Sequence, residues 1–426
     1  MGFEQFVDEY RADTEQSRVL HNRATQVIPG GDTRHTTHHE PYPSFVSEGA
    51  GCQLTTVDDT TLIDFLNNYT VNIHGHGFEP VVEAICDRYE LGNSPGAPVE
   101  EFVKLAECLV DRTPSVEKVR FCNSGTEATM HAIRGAIAYT GNEKILKVQG
   151  GYHGAHDTVE IGVHGRGREN SGIPRGVERR VETVKYNDIA ALHNTFEQYG
   201  DELACFIIEP VLGAGGMIPA TKEYLSTARD LTESTDTPLI FDEVISYRLA
   251  EGGAQQLYDI VPDLTTLGKI IGGGLPVGAF GGRSELMSIF HPVSGSVSQS
   301  GTFSGNPATM AGGIASLEEL DSATIQQLNQ RGNSLRKALK DVVTDADIPV
   351  KITGVGSLFH IHFTQDSVSD ADSSTNGCET ARELFMAMRN RGIYLSPRGM
   401  GCLSTPMTTD EIDEFINSFT ASIQEI

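Results

Sequence analysis

The chain has 426 residues, enough for two domains or for one large and one small lobe. Its 58 acidic and 32 basic residues give a formal charge of −26. A field of that sign repels nucleic acid and anionic membranes and argues against either as a partner.

No run of about 18 apolar residues occurs, so no membrane span is expected. The opening segment Met1–Tyr10 is acidic and amphipathic and lacks the basic start of a secretory signal, so a cytoplasmic location is the expectation. The seven cysteines, at 52, 86, 108, 122, 205, 378 and 402, form no CxxC pair and read as reduced, mostly buried thiols.

In chain order, a helix-like start leads into a polar loop, Gly30–His39, and then into short strand-like runs near Phe45–Val46 and Leu62–Leu66. From about residue 80 to 290, helical stretches alternate with the apolar runs Val119–Cys122, Ile145–Val148, Leu203–Ile208 and Leu239–Phe241. Apolar runs this short, separated by helices, predict a parallel sheet buried on both faces. Beyond residue 310, Phe359, Ile361 and Phe363 alternate with His360 and His362, the period of a half-buried strand. Ile412, Phe415, Ile416, Phe419 and Ile423 mark one face of a closing helix, opened by a Thr408-x-x-Glu411 capping box. The expected architecture is α/β: a large domain over 61–305 with a mostly parallel sheet, and a smaller α+β domain over 306–426 joined by the N-terminal segment 1–60.

Four stretches carry candidate chemistry. Phe121–Met130 reads as a strand end, a small-residue turn and a helix start. The free amides there, with the hydroxyls of Ser124 and Thr126 around Gly125, suit a phosphate, and they equally suit a plain helix cap. Gly150–His156 places Tyr152 on a glycine-rich turn, where its ring could stack on a flat cofactor. The three histidines nearby lack an acidic or thiol partner at metal-ligand spacing, so no metal site is expected. Leu239–Val244 ends an apolar run in Asp242 and Glu243, and Glu209 ends a neighbouring run. Ligand crevices of open α/β sheets lie at such strand ends, although each acid taken singly also fits a solvated loop. Finally, Lys269 stands alone between an apolar run and Gly272-Gly273-Gly274. The chain has only ten lysines, and a partly shielded amine can lose its proton and attack a carbonyl.

A phosphate turn, an aromatic turn, a strand-ending Asp and a glycine-lined Lys follow the order of fold-type I pyridoxal phosphate enzymes. The chain resembles the class III aminotransferases, and most closely the branch holding glutamate-1-semialdehyde aminomutase and the β-amino-acid aminotransferases. The likeness is densest in Asn123–Thr129, Gly151–Gly154, Asp242–Val244 and Pro262–Gly278. The resemblance implies pyridoxal 5′-phosphate as cofactor, with Lys269 joined to it and moving the substrate proton. Asp242 would pair with the ring nitrogen, Tyr152 and Val244 would sandwich the ring, and Ser124, Gly125 and Thr126 would hold the phosphate. Glu209 is a further candidate wall residue of the cofactor site. Thr302 would reach the phosphate of a second copy, making a homodimer with shared active sites the working unit.

Within the branch, Gly392–Leu395 leads into Ser396-Pro397-Arg398-Gly399-Met400, without the gating acid of the aminomutase pattern, and Asn68-Tyr69-Thr70 stands where that pattern has a tryptophan. Both features are similar to the β-amino-acid aminotransferases, in which an Arg-Gly-Met segment binds carboxylate and Tyr-Thr lines the pocket. Arg398, Arg34 and Tyr69 are therefore the expected substrate-binding residues. The expected activity is transfer of an amino group between a β-amino acid, or a related amino acid, and a 2-oxo acid such as 2-oxoglutarate or pyruvate. An aminomutase or racemase using the same cofactor is the alternative.

Overall fold

Seven strands of four to six residues form the large sheet: β1 (Lys118–Cys122), β2 (Lys144–Val148), β3 (Val181–Val184), β4 (Leu203–Ile208), β5 (Leu239–Asp242), β6 (Leu264–Gly268) and β7 (Gly278–Gly282). Their order across the sheet is β1-β7-β6-β5-β4-β2-β3. The pairs β6/β5, β5/β4, β4/β2 and β2/β3 are parallel, and β7 runs antiparallel to both β6 and β1. Successive strand residues point to opposite faces. Leu146, Val148, Phe206, Ile208 and Phe241 accordingly enter one apolar cluster, while Ile145, Cys205, Ile207 and Ile240 enter another. Both faces are covered, which is why these strands read as unbroken apolar runs.

The computed structural model describes residues 3–163, 172–346, 348–375 and 377–426. It divides into two units. The sheet lies in one, Glu79–Gln327 with Val368–Thr375; the other comprises Met1–Phe78, Leu328–Ser367 and Asn376–Ile426. Residues 61–78 thus fall with the N-terminal segment and 306–327 with the large sheet. Among the described residues no helix is long and apolar enough to cross a membrane.

In the second unit Val46–Ala50, Gln53–Thr56 and Thr61–Asp64 pair antiparallel, and Ile393–Tyr394 joins the last of them in parallel. Val350–Thr353, Leu358–Phe363 and Met400–Cys402 form a separate antiparallel sheet. The helix Thr409–Ile423 opens with the expected capping box of Thr408 and Glu411 and buries Ile412, Phe415, Phe419 and Ile423.

Leu358–Phe363 departs from the half-buried strand expected of it. His360 and His362 are only 7% and 2% exposed, and their rings stack 4.2 Å apart at 8°. His360 Nε2 lies 2.7 Å from the Arg398 carbonyl oxygen and His362 Nε2 lies 2.8 Å from Thr353 Oγ1. Burial drives the His360 ring well below its usual pKa, so it stays neutral. A neutral imidazole with a hydrogen-bond partner can be buried where an alternating pattern suggests water.

Candidate active site

The carboxyl ends of β4, β5 and β6 bring together Glu209, Asp242 and Lys269, as strand ends do in open α/β sheets. Asp242 is 4% exposed. Its Oδ1 accepts from Thr266 Oγ1 and from the Val244 amide, both at 3.1 Å, and its Oδ2 lies 2.9 Å from His153 Nδ1. A carboxylate only accepts, so His153 carries its proton on Nδ1. Burial lowers the His153 pKa against the opposing pull of Asp242, which keeps the ring neutral. Asp242 is thus held in orientation by three neutral groups, the His153 ring, the Thr266 hydroxyl and the Val244 amide. Sequence reading missed His153 and Thr266 as partners of Asp242. The available signal was their position beside Tyr152 and opposite Asp242 in the parallel register.

Ser124 caps the helix Gly125–Thr140, its Oγ accepting from the Glu127 amide at 3.1 Å. The cap and the anion cradle coexist, because among the described residues no hydrogen bond engages the amides of Gly125 and Thr126. Val244 fills the floor: a Cβ added to Gly125 would lie 3.1 Å from Val244 Cγ2, and one added to Gly268 would lie 3.5 Å from its Cγ1. The Tyr152 turn closes in from the side. Ala155 N–H donates to Thr126 Oγ1 at 3.3 Å, and at Gly154 (φ 105°) a Cβ would sit 2.6 Å from Thr126 Cα. Strand β7 approaches equally closely, since a Cβ on Gly278 would be 2.0 Å from the Ser124 carbonyl oxygen. That contact explains why this strand carries glycine at position 278.

Lys269 follows β6 directly and opens the 3₁₀ turn Lys269–Gly272 with φ 51°. A left-handed, non-glycine residue costs roughly 1–2 kcal/mol and is held only where its surroundings fix it. Glu209 binds the Tyr152 amide (2.9 Å) and the Gly213 amide (3.0 Å) through its two oxygens. Its pKa rises to about 8, first through burial and next through Asp242, while those two amides and the charge of Lys269 pull it down. In the unfolded chain it titrates near 4.5. Between those values the folded protein holds a proton that the unfolded chain has released, so this group lowers stability as pH rises through the window. For cofactor-stripped protein, Glu209→Gln is expected to flatten the fall in unfolding midpoint across about pH 5 to 8. Equal slopes for variant and wild type would contradict the assignment.

In the second unit, Tyr69 lies within electrostatic reach of both expected arginines. Burial raises the pKa of its phenol, opposed by Thr36, Arg34, Ser396 and Arg398. Its hydroxyl donates to the Thr36 carbonyl oxygen. The Arg398 backbone is pinned: its N–H donates to Ser396 Oγ at 3.2 Å, its carbonyl faces His360, and Gly399 accepts from the Ile361 amide at 3.0 Å. Its side chain is exposed, and among the described residues no carboxylate pairs with Arg398 or with Arg34. Arg34 Nη1 donates instead to Asn68 Oδ1 at 2.8 Å. Thr302 is exposed on a loop whose Gly301 approaches Asn123, and among the described residues no hydrogen bond joins Thr302 itself to the phosphate turn of its own chain.

The family model described as Aminotransferase class-III matches residues 35–423. The chain belongs to the class III aminotransferase family. Its fold is that of the fold-type I pyridoxal phosphate enzymes, and pyridoxal phosphate is its cofactor. The open amides at Gly125 and Thr126, the Val244 floor and the anchored Asp242 carboxylate fit that cofactor's phosphate, flat ring and ring nitrogen. The chain is 40% identical over 393 residues to a glutamate-1-semialdehyde 2,1-aminomutase of Methanothermobacter thermautotrophicus, covering 91% of this chain and 93% of the relative. It superposes on an omega-transaminase from Sphaerobacter thermophilus with TM-score 0.93 and 39% identity, over 97% of this chain and 98% of the other. A β-phenylalanine aminotransferase from Variovorax paradoxus matches with TM-score 0.94 and 32% identity, over 99% and 97% of the two chains. Relatives named for different reactions thus lie at similar distance, and identity alone does not choose among them.

Proposed function

We propose that the protein transfers an amino group between a β-amino acid, or a related amino acid, and a 2-oxo acid such as 2-oxoglutarate or pyruvate. The observation that carries this reading is the pair of exposed guanidinium groups, Arg34 and Arg398, acting on Tyr69. Neither has a carboxylate partner among the described residues, in a chain with 58 acidic side chains. An arginine left unpaired amid such an excess of acid is available to a carboxylate ligand, which its planar fork binds through two parallel hydrogen bonds. Two such groups suit a β-amino acid in one half of the cycle and a dicarboxylic acceptor in the other.

When bound, pyridoxal phosphate supplies an electron sink that makes the C–H bond beside the transferred nitrogen acidic. The chain's residues do the rest. Ser124, Gly125 and Thr126 hold the phosphate with amides and hydroxyls at a helix N-terminus. Tyr152 and Val244 wall the ring, and Glu209 ties the Tyr152 turn to β4. Asp242, oriented by His153 and Thr266, faces the ring nitrogen as its partner. Lys269 Nζ would hold the cofactor and, once displaced from it by the incoming substrate amine, would take the proton from the substrate carbon and return it at the other end of the transfer. Thr302 serves the phosphate site of a second copy in a homodimer.

The 40% identity to a glutamate-1-semialdehyde aminomutase supports a second reading, in which one molecule both gives and receives the amino group. The two readings differ in their need for an acceptor. Glutamate 1-semialdehyde supplied alone is expected to yield no sustained 5-aminolevulinate. Rapid formation of that product without added 2-oxo acid would select the aminomutase.

A further inference from the structure

Asn67, Asn68, Tyr69 and Thr70 have φ of 47°, 49°, 56° and 76°, a turn of left-handed helix built without glycine. Asparagine visits this region readily, but a tyrosine and a β-branched threonine do so only when their surroundings hold them there. The holding groups are explicit. Asp64 Oδ1 accepts from the amides of Leu66 (2.9 Å) and Asn67 (2.8 Å), and its Oδ2 lies 2.8 Å from His76 Nε2. Asn67 Nδ2 donates to the Cys402 carbonyl oxygen at 3.1 Å, and the Asn72 amide donates to the Asn67 carbonyl oxygen at 3.1 Å.

This turn presents the Asn68 side-chain oxygen to Arg34 Nη1 at 2.8 Å, while the next residue, Tyr69, donates to the Thr36 carbonyl two positions beyond Arg34. A guanidinium has only donors, so the acceptor end of the amide must face it. Arg34 is exposed and has no carboxylate partner among the described residues, so this neutral contact sets its direction without cancelling its charge. A carboxylate at the same place would hold the arginine but neutralise it. A right-handed turn would send the side chain of residue 68 along another path.

We propose that Asn68 is a positioning residue that aims Arg34 at the second carboxylate of a dicarboxylic acceptor, and that the left-handed turn thereby sets the preference for a dicarboxylate over a monocarboxylate. The proposal rests on the reading of Arg34 as a carboxylate anchor. Its test is calorimetric binding of 2-oxoglutarate and of pyruvate to the pyridoxal phosphate form of the holoenzyme, with which a 2-oxo acid does not exchange an amino group, in wild type, Arg34→Ala, Asn68→Gly and Asn68→Asp. Glycine keeps the left-handed backbone and removes only the acceptor, so the unfolding midpoint should stay close to wild type. Asn68→Gly is expected to raise the ratio of the 2-oxoglutarate Kd to the pyruvate Kd by about 3- to 10-fold, the loss of one charge-assisted contact. Asn68→Asp should raise it further by pairing with the arginine, and Arg34→Ala most of all. If Arg34→Ala shifts the ratio while both Asn68 variants match wild type, the positioning role is wrong and the anchor stands. If Arg34→Ala itself leaves the ratio unchanged, the anchor reading fails and the positioning role fails with it.

Discussion

Replacing Lys269 with alanine is expected to abolish covalent attachment of the cofactor and to lower amino transfer by at least ~10³-fold, within the range for loss of a positioned acid–base group. Borohydride reduction followed by peptide mass spectrometry should show a cofactor adduct at residue 269 in wild type and at no residue in the variant. Lys269→Arg should fail equally, since a guanidinium keeps its proton and cannot attack a carbonyl. The contrast with Lys147 is instructive. That lysine is fully buried, and its Nζ donates to the carbonyls of Gly151 and Val159, so it is tied into the local backbone. Lys269 is half-buried, follows a glycine in extended backbone and takes a left-handed φ of 51°, a conformation unsuited to a residue that serves only packing. An adduct at Lys147, or an undiminished rate in Lys269→Ala, would overturn the assignment.

Arg398→Ala is expected to raise KM for carboxylate substrates by about 10- to 1000-fold, from a loss of roughly 1.5–4 kcal/mol of charge-assisted hydrogen bonding. Because its backbone is pinned by His360, Ser396 and Ile361, truncating its exposed side chain should leave the unfolding midpoint close to wild type. Arg398→Lys should recover the charge but not the two-pronged geometry, and should fall between wild type and alanine. Unchanged KM values for β-amino acids and 2-oxo acids in Arg398→Ala would remove the carboxylate role.

Much of the large sheet is legible in the sequence because burial on both faces leaves its strands as uninterrupted apolar runs. Leu203–Ile208, wholly buried, is the clearest case. Strand β7 escapes such reading. Gly278-Ala279-Phe280-Gly281-Gly282 resembles a turn, and its glycines are explained only by the neighbouring Ser124 and Asp263 carbonyl oxygens, 2.0 and 2.2 Å from the Cβ positions of Gly278 and Gly282. The histidine face of Leu358–Phe363 misleads for a related reason: alternation reports polarity, and a stacked, hydrogen-bonded imidazole pair is polar and buried at once.

At the candidate site, the residues visible in sequence are those that glycine-rich turns and strand ends present: Ser124, Tyr152, Asp242 and Lys269. The residues that orient them, His153 and Thr266 on Asp242 and Asn68 on Arg34, are hidden because their partners lie 89, 24 and 34 positions away. Only the Asn67-Asn68 pair carried a local hint, since asparagine is the non-glycine residue most tolerant of left-handed backbone.

The central claim is tested most directly by a half-reaction on purified holoenzyme. β-Phenylalanine, β-alanine, L-glutamate and glutamate 1-semialdehyde are each added alone while the visible absorbance of the bound cofactor is followed. A β-amino acid is expected to bleach that absorbance by converting the cofactor to its aminated form, and 2-oxoglutarate or pyruvate to restore it. A response to glutamate 1-semialdehyde alone, with 5-aminolevulinate released and no acceptor needed, would contradict the account and assign the enzyme to intramolecular amino transfer.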